Sequence, residues 1–135
     1  LEYVKKTGID FLVADLGTEQ QSTGVGKSRF LKQRALDLTK ALGRSMLVLH
    51  GTSCLDDAQI ADLPECGIIR VNMWTRIARE AGEYAAQRLM ERADKIRQGD
   101  FEAVESRAYV IDSIEKASQI MYDALGLLQY RRLAQ

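Results

Sequence analysis

Residues 46–54 read MLVLHGTSC: four apolar residues, the chain's single histidine, then a small polar turn. Such a run reads as a buried strand that breaks into a loop at His50. Two similar runs flank it, Phe11–Leu16 (FLVADL) and Ile68–Met73 (IIRVNM). Each follows a helix-stop signal, Thr7-Gly8, Leu42-Gly43 or Cys66-Gly67, and each gives way to small or polar residues. Between the first two runs, Phe30 or Leu31, Ala35, Leu38 and Leu42 recur at helical spacing. Between the second and third, DDAQIADLPECG reads as a short helix capped by Asp56 or Asp57 and ended by Pro64. A long helix is predicted from Thr75 to about Arg97, a break at Gln98-Gly99-Asp100, and a last helix from about Val104 to Leu125, closed by Gly126.

Strands alternating with helices imply parallel pairing through right-handed crossovers. Two architectures follow: a three-stranded piece of a doubly wound sheet, or three consecutive units of a (β/α)8 barrel. A whole barrel takes about 250 residues, so the barrel reading makes these 135 residues part of something longer. A start at Leu1, directly in a helix end, is how such a piece would begin.

Composition narrows the function classes. Nineteen basic and nineteen acidic side chains cancel, so no global field draws the chain to nucleic acid or anionic lipid. No apolar run approaches the roughly 20 residues that span a bilayer, and the first residues lack a secretory apolar region. Cys54 and Cys66 match no zinc spacing; reduced thiols and a cytoplasmic setting are the expectation.

In either architecture ligands lie at the carboxyl ends of the strands. That gathers residues 17–22 (GTEQQS), 50–54 (HGTSC) and 72–75 (NMWT) on one rim. His50, on the side of Met46 and Val48, is read equally well as a metal ligand or base and as a histidine with one satisfied hydrogen bond. Gly51-Thr52-Ser53 suits a phosphate, but a plain capped turn uses the same residue types, and the residues alone favour the turn. Asn72 and Arg70 are expected to point the same way as Ile68. Asn72 must find partners for its amide, and Thr75 is placed to cap the next helix or bond a phosphate. Asp15 and Arg70 are expected to form an inward ion pair. GVGKS (24–28) lacks the upstream glycine of a nucleotide-binding phosphate loop.

Together the rim segments resemble the class II (metal-dependent) fructose-bisphosphate and tagatose-bisphosphate aldolases, over nearly the whole chain. TGIDFLVADLGT (7–18) is similar to the family's TGVDxLAxxxGT, LVLHGTS (47–53) to LVLHGGSG, and GIIRVNMWTRIA (67–78) to GIxKINxxTxxR. The resemblance implies the last three β/α units of a (β/α)8 barrel plus C-terminal helices: one domain over residues 1–135, with barrel elements to about residue 74 and long helices over 75–135. It implies an aldehyde-lyase of carbohydrate metabolism, of a glycolytic kind, acting on a ketose phosphate or bisphosphate through a metal-stabilised enediolate. His50 would bind the catalytic divalent metal, usually zinc. Gly51, Ser53 and Thr75 would hold the substrate phosphate, and Asn72 would steady the enediolate.

This chain departs from the pattern in several places. The second zinc-binding histidine, in a GTxHG setting, is Gln20, a poor zinc ligand beside imidazole. Thr52 and Cys54 replace two glycines, Trp74 replaces an acidic or amide residue, and Lys27 is out of register with the expected lysine. Arg107 is the candidate for an arginine that binds the distal phosphate. Three readings therefore stand: an active lyase with altered metal geometry and a different aldehyde or ketose partner; a barrel that keeps sugar-phosphate or other small-molecule binding but runs a different, metal-free reaction; and a non-catalytic relative whose barrel serves as a binding or scaffold subunit. A homodimer or homotetramer is expected from the apolar faces of the last two helices.

Overall fold

The computed structural model describes residues 1–19 and 29–130; Gln20, Lys27 and the GVGKS stretch lie outside them. The chain divides into two compact units, residues 1–74 with the segment from Leu125, and residues 75–124.

The first unit is α/β. Its strands β1 (Leu12–Val13), β2 (Leu47–Leu49) and β3 (Ile68–Val71) pair parallel in the order β1-β2-β3. A short helix, α1 (Glu2–Thr7), precedes β1; α2 (Lys32–Leu42) lies between β1 and β2, and α3 (Asp57–Asp62) between β2 and β3. Gly8, Gly43 and Gly67 take left-handed backbone at the three helix stops read from the sequence. Asp56 is the cap of α3: its carboxylate accepts from Gln59 N–H at 2.8 Å, and Gln59 Oε1 accepts from Asp56 N–H at 3.0 Å. This reciprocal pair satisfies two donors that a helix start leaves open.

β1 is shorter than its apolar run. Asp15 Oδ1 accepts the Gly17 N–H at 3.0 Å, a local partner that takes the backbone out of the ladder. β3 carries the larger surprise. Leu47 pairs with Ile68, but Val48 pairs with Arg70, so Ile69 is an extra residue in the ladder. An extra residue reverses which side chains face which way. Ile68 therefore joins the core, 5% exposed, while Arg70 is exposed in register with Val48. The expectation that Arg70 and Asn72 point with Ile68 is overturned by this bulge.

The core packs Leu47, Leu49 and Ile68 against Leu16, Phe30, Ala35, Leu55, Ile60 and Leu63. Met46 and Val48 are buried too, so the central strand is covered on both faces. Cys66, in a 3-10 turn over Pro64–Cys66, is fully buried, and burial pushes its thiol up from the ordinary range.

The second unit is helical: α4 (Thr75–Glu91), α5 (Ala93–Arg97), α6 (Phe101–Val104) and α7 (Ser106–Leu127), whose last residues belong to the first unit. The single helix expected over 75–97 is interrupted at Arg92 (φ −90°, ψ 0°). Arg92 there pairs with Asp112, which is 7% exposed. Gly126 does not close the last helix. α7 runs on to Leu127, and Leu127 and Leu128 pack against the core of the first unit, packing that outweighs the roughly 1 kcal/mol a helical glycine costs. Among the described residues no helix is long and apolar enough to cross a membrane.

Candidate functional site

The carboxyl ends of the three strands are tied to one another by side chains. Thr18 Oγ1, after β1, donates to the His50 carbonyl at 2.6 Å. Thr52 Oγ1, after β2, donates to the Asn72 carbonyl at 3.2 Å. The Asn72 N–H in turn donates to the Leu49 carbonyl at 3.0 Å. Each strand end is thus held by the next, and the rim is a connected surface rather than three separate loops.

The side chains of His50 and Asn72 meet. Asn72 Nδ2 lies 3.1 Å from His50 Nε2 and 3.4 Å from Nδ1. An amide nitrogen nearly equidistant from both ring nitrogens lies against the face of the imidazole, not on the lone-pair axis of either one. Asn72 Oδ1 accepts from Arg70 Nε at 3.3 Å, which sets the amide nitrogen toward the ring. The parity change at Ile69 makes this contact possible by bringing Asn72 onto the face of Val48 and His50.

Gly51 has φ 73°, a left-handed conformation that favours glycine. A Cβ at Gly51 would also fall 2.6 Å from the Glu19 carbonyl oxygen, so the turn after His50 presses on the segment after β1. A 3-10 turn follows over Thr52–Cys54, in which the Cys54 thiol donates to the Gly51 carbonyl at 2.9 Å. Ser53 is 4% exposed, and its buried hydroxyl has no hydrogen-bond partner among the described residues. Next to this turn opens a cleft of about 300 Å³, lined by Val13, Ala14, Asp15, Leu16, Thr18 and His50.

Of the residues singled out in the sequence, His50, Gly51, Ser53 and Asn72 fall on this connected rim. Thr75 is the first residue of α4, in the second unit, and so is Arg107 a member of that unit, exposed and paired with Glu105 at 2.8 Å. Trp74 is 77% exposed. The inward Asp15–Arg70 ion pair does not form: Asp15 accepts from Gly17 and Arg70 donates to Asn72. Sequence reasoning missed Thr18 and Thr52 as rim ties and Arg70 as the partner of Asn72. Only the Arg70-x-Asn72 spacing on one strand face was there to point to the last.

Among the described residues no three His, Cys, Asp or Glu side chains gather to hold a metal ion. His50 is the only imidazole in the chain. A catalytic zinc takes three protein ligands, so the described residues do not by themselves fit a resident ion.

Compared with individually curated proteins, the chain has no match. A family model, "Fructose-bisphosphate aldolase class-II", matches residues 1–131. With the three strand ends in the arrangement above and a match that takes in all but the last few residues, the chain belongs to the class II fructose-bisphosphate aldolase family.

Proposed function

We propose that the chain supplies part of the active site of an aldehyde-lyase built on a (β/α)8 barrel, with β1, β2 and β3 as consecutive barrel strands and residues 75–135 as C-terminal helices. The substrate is a phosphorylated ketose or a related small molecule, held at the rim. The observation that carries this reading is the buried, unpartnered Ser53 hydroxyl in a turn that begins beside the His50–Asn72 pair. A hydroxyl buried without a partner costs roughly 1–3 kcal/mol, and a phosphate oxygen accepting from it removes that cost.

Roles follow from chemistry. Ser53 and the backbone of Gly51 bind the phosphate. Asn72, its amide oxygen held by Arg70 and its amide nitrogen at the imidazole face, offers N–H donors at the same mouth to the oxygen that gains negative charge when a carbon–carbon bond breaks. Stabilising charge where it develops is the larger part of such catalysis. His50 offers a neutral imidazole at the same mouth. Members of this family generally depend on a divalent metal, zinc in the usual case, which supplies Lewis-acid polarisation of the carbonyl when bound. His50 would be this chain's ligand to it, with Gln20 at the position of a second, and the described residues furnish no further set. A second reading, in which the rim binds a phosphorylated molecule without lyase chemistry, rests on Gln20 standing where the family pattern has a zinc-binding histidine.

The test is binding. Dihydroxyacetone phosphate at millimolar concentration should raise the melting temperature of the chain, and Ser53→Ala should weaken the apparent affinity about tenfold, as expected for losing a hydrogen bond to a charged group. No stabilisation of either protein removes the phosphate site. Retro-aldol turnover over a panel of ketose phosphates, with and without added Zn2+, then separates lyase from binding protein.

A further inference from the structure

Asp15, without the expected pairing to Arg70, is a group at this site that the mechanism above does not employ. Its carboxylate lines the same cleft of about 300 Å³ as His50 and Thr18, and among the described residues of that lining only Asp15 and His50 ionise. Gly17 N–H anchors one of its oxygens at 3.0 Å. The other oxygen has no protein partner among the described residues, and the cation nearest to hand in sequence logic, Arg70, is committed to Asn72. An anionic group without a counter-charge among the described residues therefore lines the space beside the imidazole.

The cleft and the Ser53 turn adjoin. His50 lines the one and Gly51 opens the other, and Gly51 packs on Glu19, just beyond Thr18 of the cleft wall. The cleft that adjoins the turn gives a ligand whose phosphate lies there a course for its remaining carbons, past Asp15. There a carboxylate accepts hydrogen bonds from hydroxyl groups and repels a second phosphate. We infer that Asp15 is a specificity-determining residue that selects a ketose carrying one phosphate, with free hydroxyls on its other arm, and disfavours a bisphosphate. This rests on the phosphate site proposed above and adds to it the charge of the substrate.

His50 is the only histidine, so its imidazole 1H–15N resonances report on the site without assignment ambiguity. The experiment titrates the whole chain with fructose 1-phosphate and with fructose 1,6-bisphosphate, and repeats both for Asp15→Asn and for Asp15→Glu. The expected result is tighter binding of the monophosphate by the native chain. Asp15→Asn should tighten the bisphosphate roughly two- to fivefold, the size of effect an exposed charge exerts, and weaken the monophosphate, whose hydroxyls lose a charged acceptor. Asp15→Glu, which keeps the charge, should keep the native preference. Equal affinity for both sugars in the native chain, or a preference indifferent to Asp15→Asn, overturns the inference and leaves the phosphate site standing. If neither sugar moves the His50 resonances, the phosphate site falls and the inference with it.

Discussion

Thr52 shows how a departure from a family pattern is absorbed at the scale of one residue. The resemblance expects a glycine there; the chain has a buried threonine, 2% exposed, whose hydroxyl reaches the Asn72 carbonyl. Thr52→Val keeps the shape and removes the donor, which should lower stability by about 1–2 kcal/mol, while Thr52→Ser should stay within about 0.5 kcal/mol of the native value. Urea unfolding of the three proteins measures this, and equal losses for Val and Ser would mean that packing rather than the hydroxyl holds Asn72. His50, Ser53 and Asn72 were legible as a group because three separate strand ends pointed to one rim. The hydroxyl ties were not, since a bond between residues 20 or 32 positions apart leaves no period in the sequence.

At the scale of elements, hydrophobic runs and helix-stop glycines located all three strands and the helices between them, because burial and left-handed caps are written locally. What they did not reveal arises from particular partners, one local and the others distant in the chain. β1 is cut short by Asp15 folding back on Gly17, the long helix is broken at Arg92, and α7 outlasts Gly126 because two leucines reach the core. The turn at Pro64–Cys66 carries a testable pH dependence. Burial holds the Cys66 thiol protonated to higher pH in the fold than in the unfolded chain, with Lys32 opposing and Asp62 and Glu65 adding to the shift. The unfolded chain loses its proton first, so this contribution to stability is complete below the ordinary thiol range and declines as pH rises through it. Denaturation midpoints measured from neutral to alkaline pH should fall more steeply for the native chain than for Cys66→Ala. Parallel slopes would show that other groups govern alkaline unfolding.

At the scale of the molecule, the sequence narrowed the fold to parallel α/β with two candidate architectures, and periodicity had no means of choosing between them. Strand order came from the ladder, β1-β2-β3. The second unit displays apolar side chains along α7: Ile111, Ile114 and Met121 are 46%, 58% and 51% exposed. Their spacing of three and seven residues matches the seam along which helices associate, and a homodimer or homotetramer formed through this face is the assembly we propose. Ile114→Asp should convert the sedimenting species to monomer with little change in helicity. An unaltered sedimentation coefficient would assign association, if present, to another surface.

The bulge at Ile69 has a consequence for how this strand tolerates change. Losing Ile69 would only remove the extra residue and keep Asn72 opposite His50, whereas losing Val71 would set Asn72 opposite Leu49 and present Met73 at the mouth beside His50. A substitution in β3 degrades one contact; a single-codon deletion beyond the bulge rewrites the odd-even assignment of every residue after it. Chain length here is therefore as strict a requirement as the identity of the asparagine.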